Sequence, residues 1–189
     1  MISPNTSVAL LWATWLFGWI VAARSTARTV VRQSTAERLA HAVFVWGGAI
    51  LLFVNPRRLG FLGRLILPRT VFVSWGGVLL VLVGLGFAVW ARVHLGRLWS
   101  GTVTLKTDHE LVRTGPYAIT RHPIYTGLLL ALLGTALVQG NLAALVGLIL
   151  LGLGLILKIN QEERLLIGHF GDVYRAYRSE VPALVPRPW

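Results

Sequence analysis

The 35 residues from 123 to 157 carry no Asp, Glu, Lys or Arg. A helix lying on a water-soluble core needs a polar face, and this stretch cannot supply one. A single helix crosses the hydrocarbon layer in about 20 apolar residues, so the run is too long for one span. The polar break Gln139-Gly140-Asn141 divides it into two arms of 16 residues. Each arm makes about 24 Å of helix, which predicts an antiparallel hairpin closed by a tight turn. Three further uncharged runs, 1–23, 39–56 and 70–91, bring the uncharged total to 98 of 189 residues. The expected fold class is therefore all-α, a polytopic integral membrane protein with five transmembrane helices near 8–23, 39–54, 70–91, 123–138 and 142–157. With 55% hydrophobic and 13% charged residues, the chain is not a soluble nucleotide-binding domain, a disulfide scaffold or a disordered tail.

There is no cysteine, so disulfides, thiolate nucleophiles and cysteine-bound zinc are excluded. The net charge of +11 would suggest nucleic acid in a soluble protein. In a membrane protein it reads instead as contact with anionic lipid headgroups and as a topology signal, with no nucleic-acid partner. The first charge, Arg24, follows the first apolar run, unlike the leading positive charges of a cleaved signal, so 1–23 reads as a retained helix. An outside N-terminus puts 14 of the 18 Lys and Arg residues in the cytoplasm and leaves the uncharged hairpin turn outside. The loop 57–69, "RRLGFLGRLILPR", then lies on the outer side despite its four arginines, read as an amphipathic piece flat in the interface.

Six of the seven acidic residues lie after residue 107, so chemistry belongs to the C-terminal half. The division expected is a three-helix scaffold over 1–92 and a functional region over 93–189. Tryptophans 12, 15, 19, 46, 75 and 90 read as packing or interfacial anchors. The G-x-G pairs Gly84 and Gly86, and Gly152 and Gly154, read as helix-packing positions, because no strand precedes them. The densest polar patch runs from Thr107 to Tyr125. At its end Pro123 opens a helix and excludes His122 from it. The free N–H groups of that helix start, beside Arg121 and His122, suit a carboxylate or phosphate; equally, both side chains could reach for headgroups. His109 lacks the partners of a metal site. After the last span, Lys158 and Glu162 share a helix face and Glu163 points about 100° away. A carboxylate there could take an ammonium group or simply form an exposed ion pair. Leu165, Leu166, Phe170, Val173 and Tyr177 predict an amphipathic tail helix packed over the loop, weakened at Gly168 and Gly171.

"HELVRTGPYAITRHPIYTG", an apolar hairpin, and "EERLLIGHFGDVYRAYRSEVPALVP" together resemble the isoprenylcysteine carboxyl methyltransferase family, within the wider group that includes phospholipid methyltransferases. The resemblance runs from about His94 to Pro186. It implies a multi-span enzyme that uses S-adenosylmethionine without a Rossmann domain, its site formed by the cytosolic loop and the C-terminal helix. By position it implies cofactor contacts from His109, Glu110, Leu111, Val112, Tyr117, His122, Pro123, Ile124 and Tyr125, with Glu162 as the acidic residue that holds the cofactor. Arg121 and Lys158 join Glu162 as the residues expected to carry catalysis; Lys158 falls where eukaryotic members have an arginine associated with substrate.

Methyl transfer to a carboxylate needs positioning and shielding from water, not a general base, which agrees with a chain lacking a Ser-His-Asp set. The expected partners are membrane lipids and a lipophilic or prenylated acceptor entering between spans. The expected location is a bacterial inner membrane with the site facing the cytoplasm. A phospholipid amine or a small hydrophobic acid or thiol stays open as acceptor. A sterol-reductase-like enzyme using a nicotinamide cofactor and a non-enzymatic membrane protein remain the rival readings. Oligomeric state is not readable.

Overall fold

The computed structural model describes residues 2–23, 35–96 and 111–186, and among them every regular element is helical. The helices are α1 (Pro4–Ala23), α2 (Thr35–Phe53), α3 (Val71–Leu95), α4 (Pro116–Ile119), α5 (Pro123–Gln139), α6 (Leu142–Phe170) and α7 (Asp172–Glu180). Local sequence sets their ends. Thr70 Oγ1 accepts from the Val73 N–H at 3.2 Å to start α3, and Asn141 Oδ1 accepts from the Ala144 N–H at 2.8 Å to start α6, each satisfying an otherwise unpaired donor. Gly140 closes α5 at φ +61°, a left-handed conformation in which a Cβ would be strained.

α1, α3 and α6 are long and apolar enough to cross a membrane, and the apolar stretches His41–Phe53 and Pro123–Gln139 are shorter. Large apolar side chains such as Phe17, Trp46, Phe72, Leu79 and Ile149 point outward, a surface suited to lipid rather than water. The chain is an integral membrane protein.

The α5–α6 hairpin forms, but its arms do not pair chiefly with each other. α5 packs along α3, and α6 along α2. Glycine positions explain the choice. A Cβ at Gly84 would stand 2.5 Å from the Gly127 carbonyl oxygen, and one at Gly134 would stand 2.4 Å from that of Gly77. Gly77 and Gly84 thus face Gly134 and Gly127 along antiparallel helices whose backbones touch. Gly48 and Gly147 do the same for α2 and α6, at 2.8 and 2.7 Å. Without a hydrophobic drive between helices in lipid, such close backbone contact is what holds them. Of the four G-x-G glycines, Gly84 and Gly154 sit at close contacts; Gly86 faces open space and Gly152 makes ordinary contact. Inside the bundle, Trp12 Nε1 donates to Thr135 Oγ1 at 3.0 Å, tying α1 to α5.

The 57–69 loop forms two 3-10 turns, Pro56–Arg58 and Gly60–Gly63, then docks on the hairpin turn. Ile66 N–H donates to Gly140 O at 2.9 Å, Leu142 N–H donates to Arg64 O at 3.0 Å, and Arg69 donates to Gln139 O at 2.9 Å. Loop and hairpin turn therefore share one end of the bundle.

Candidate functional site

At the opposite end, the chain entering α5 meets the far part of α6. Pro116 starts α4, and Thr120, Arg121 and His122 form the non-helical link to Pro123, which opens α5 with His122 at φ −124° and ψ 61°. This link directs Arg121 and His122 at two consecutive carboxylates on α6. Glu163 Oε1 accepts from Arg121 Nε at 2.9 Å and Nη2 at 2.6 Å and lies 3.3 Å from His122 Nε2. Its other oxygen lies 3.3 Å from Arg178 Nε. Glu162 takes the other side of the same imidazole, with Oε2 3.5 Å from Nδ1, and its Oε1 accepts from the Tyr125 hydroxyl. The Tyr125 ring stacks on His122 at 5.7 Å between centroids, and Lys158 Nζ stands 5.5 Å above that ring.

The C-terminal segment covers this junction. Gly171, at φ +56°, breaks the predicted single tail helix into the end of α6 and α7. α7 buries Tyr174 and Tyr177, not Val173, which is exposed. The reason is the turn at Gly171, which re-phases the helix so that the tyrosines face inward. Tyr177 donates to the Tyr117 carbonyl at 2.5 Å. Beyond α7 the chain runs extended across the link: Arg121 N–H donates to Pro182 O at 2.9 Å and His122 N–H to Ala183 O at 3.1 Å. Thr126 Oγ1 adds a bond to Leu184 O at 2.8 Å. Arg121 Nη1 reaches the carbonyls of Arg178, at 3.1 Å, and Val181.

Burial alone would drive the proton off His122, but hydrogen bonds to Glu162 and Glu163 and their negative charge outweigh it, and its pKa is raised above 6.5. Two donating ring nitrogens between two carboxylates fit the protonated form. Burial pushes the Tyr177 hydroxyl up to about 12 and raises Tyr117 as well, so both remain neutral.

Several residues singled out in the sequence meet here. Arg121, His122, Tyr125, Lys158 and Glu162 form the polar group. Pro123 and Ile124 are buried beneath it, and Val112 and Tyr117 pack with Ile124 and Ala91 in the adjoining apolar cluster. Leu111 is half-buried at the start of that segment, and His109 and Glu110 lie outside the described residues. Arg121 is fully engaged by Glu163 and two backbone carbonyls, which makes it a holding group, not an open anion receptor. Two residues carrying much of the geometry were not singled out, Glu163 and Arg178. The pairing of "RH" with "EE" was the available signal for the first; nothing local marked the second.

Apolar helices capped at one end by two carboxylates, an imidazolium and covering tyrosines define a membrane protein with a polar site at its helix ends. Residues 77–168 match the sequence model of the isoprenylcysteine carboxyl methyltransferase (ICMT) family. It is 38% identical over 99 residues, 51% of this chain and 42% of the relative, to the protein-S-isoprenylcysteine O-methyltransferase of Schizosaccharomyces pombe. It is 30% identical over 118 residues, 61% of this chain and 62% of the relative, to a probable protein-S-isoprenylcysteine O-methyltransferase of Oryza sativa subsp. indica. It is also 32% identical over 117 residues, 60% of this chain and 52% of the relative, to the cobalt-zinc-cadmium resistance protein CzcN of Cupriavidus metallidurans. The chain thus spans less than two thirds of the length of each of these relatives.

Proposed function

We propose that the chain is an S-adenosylmethionine-dependent methyltransferase of the membrane, acting on the carboxylate of an isoprenylcysteine-like lipophilic acceptor. The observation that carries this reading is the convergence of Arg121, His122 and Tyr125 on Glu162 and Glu163, motifs 37 to 42 residues apart. The two carboxylates differ in what they can do. Glu163 is 8% exposed and surrounded by cations, whereas Glu162 keeps 21% of its side chain open. An open carboxylate fits the ammonium of an amino-acid-like cofactor.

Under this reading Glu162 binds the cofactor's ammonium, and the Tyr125 hydroxyl and His122 orient that carboxylate. Arg121 fixes the link that carries His122. Val112, Tyr117 and Ile124 form an apolar wall that excludes water, and the cofactor contacts expected of Leu111, Pro123, His109 and Glu110 belong to the same proposal. S-adenosylmethionine supplies a sulfonium methyl that an ionised carboxylate can take without releasing a proton, the S–C electron pair returning to sulfur. The site accordingly needs no general base. Five spans with the N-terminus outside are part of this reading, supported by the shared end of the 57–69 loop and hairpin turn and by the site's position at the other end. That arrangement, in a bacterial inner membrane, keeps most Lys and Arg on the site's side.

Calorimetric titration of S-adenosylmethionine into detergent-purified protein, with Glu162→Ala alongside, tests the assignment. We expect saturable binding by the wild type and its loss in the variant. Equal binding by folded Glu162→Ala would remove the central assignment, and no binding by the wild type would refute the cofactor.

A further inference from the structure

The stretch from Leu111 to Tyr117 carries Val112 and Tyr117, two of the side chains that wall the site, and two neighbours grip it. One is His94, at the end of α3. Its ring lies against the backbone of Gly115, where a Cβ would stand 2.7 Å from Cε1, and its Nε2 shares a hydrogen bond of 2.9 Å with Thr114 Oγ1. The other is α7. Tyr177 donates to the Tyr117 carbonyl at 2.5 Å, the Arg113 guanidinium pairs with Glu180 at the end of α7, and the same guanidinium lies 5.2 Å over the Tyr177 ring. α7 is itself a fixed post, because Tyr174 and Tyr177 are buried and Arg178 pairs with buried Glu163. Val112 turns inward to the cluster of Ala91, Tyr117 and Ile124. Arg113, next to it, turns outward: the side chains of the Arg113–Glu180 pair are 39% and 60% exposed. An ion pair so open to water contributes little to the fold as a whole. Its effect is local, one residue from a wall of the site.

We propose that Arg113 and Glu180 are positioning residues for S-adenosylmethionine: their pair latches the 111–117 stretch to α7 and so sets Val112 and Tyr117 in place for the cofactor. The inference rests on the methyltransferase reading and deepens it by adding residues that act through the wall of the site, not on the cofactor. A loose stretch that had to be ordered on binding would subtract its conformational entropy from the affinity, and a stretch already latched to α7 subtracts less. Arg113 suits this work because its planar guanidinium meets a carboxylate and an aromatic face at once. Both partners lie on one helix, so a single side chain fixes the stretch in direction as well as in distance.

The test is calorimetric binding of S-adenosylmethionine to the full chain in detergent, well below the thermal midpoint of every variant. Arg113→Gln and Glu180→Gln should each weaken binding by about three- to ten-fold, the range spanned by an exposed ion pair with a cation–π contact. Combining the two Gln substitutions should lose no more than either alone, because both remove one interaction. Arg113→Glu, which sets two carboxylates together, should weaken binding by about ten-fold or more, and adding Glu180→Arg should recover most of that loss. A merely structural pair would lower the thermal midpoint and leave the affinity of the folded protein unchanged, so unchanged affinity in both Gln variants overturns the proposal. Losses that add in the doubly substituted protein overturn it as well, since the two residues would then act separately. If Arg113→Glu does not fold, the Gln variants decide. Failure of the wild type to bind S-adenosylmethionine would refute the methyltransferase reading, whereas wild-type binding with unaffected variants refutes only the latch.

Discussion

Replacing Glu163 by Gln removes one negative charge from a point on which three cationic side chains converge. Arg121 and Glu163 are 7% and 8% exposed, so solvent screens their attraction little. Neutralising one partner of a buried pair destabilises by about 3 to 5 kcal/mol, largely because the remaining charge is left uncompensated. Two features reduce this. The amide oxygen can still accept one hydrogen bond, and Arg178, 54% exposed, can turn to water. A loss of about 2 to 3 kcal/mol remains, which for a chain of this size lowers the thermal midpoint by roughly 5 to 10 °C. Intrinsic fluorescence during heating in detergent reads the shift directly. Asp172→Asn is the comparison: it removes a pair whose side chains are 61% and 96% exposed, and it should leave the midpoint unchanged. Because Arg121 also holds the Arg178 and Val181 carbonyls, Glu163→Gln should speed proteolysis after α7. A midpoint within about 1 °C of wild type, at the same pH, would refute the reasoning that this pair fastens the fold.

The raised pKa of His122 gives a signed pH dependence. Its proton is held more tightly folded than unfolded, so the stabilisation is complete below 6.5 and disappears as pH rises through the raised value. The midpoint difference between wild type and His122→Gln should therefore shrink as pH rises above 6.5, and a difference that grew with pH would contradict the assignment. In the helix interface, Gly84→Leu places a side chain against the Gly127 carbonyl, 2.5 Å from its Cβ, and should abolish folded protein on size exclusion. Gly86→Leu meets nothing within 4 Å and should be tolerated; equal tolerance would mean that α3 and α5 do not pack this way.

The helices were legible because the signal for a membrane helix is length without charge, and the five expected segments coincide with α1, α2, α3, α5 and the apolar part of α6. Their pairing was not legible. A hairpin suggests that its two arms pack together, and only the spatial match of Gly77 and Gly84 with Gly127 and Gly134 redirects α5 to α3. At the site, Pro123 and His122 were readable from backbone restriction alone, and Lys158 and Glu162 from helical spacing. Glu163 was set aside because it points elsewhere on α6, yet that other direction is where Arg121 arrives. Arg178 and the Pro182 and Ala183 carbonyls depend on how the tail folds back, which follows from Gly171 and has no periodic signature.

The two carboxylates divide the work of the site. α3 with α5 and α2 with α6 form two pairs, each closed by backbone contact at glycines, and the arms of the hairpin touch less extensively. The polar cluster therefore fastens one pair to the other: Arg121, His122 and Tyr125 belong to the α5 side, and Glu162 and Glu163 to α6. If both glutamates were equally engaged, taking a ligand would unfasten the helices. Glu163 instead carries Arg121, Arg178 and one side of His122 and is closed to solvent. Glu162 holds neutral Tyr125 and the far side of the same imidazole, and feels the charge of Lys158 one turn away. A ligand cation can then meet Glu162 while the Arg121–Glu163 pair keeps the helices in register. On this argument, substitution of Glu162 changes ligand affinity more than stability, and substitution of Glu163 does the reverse.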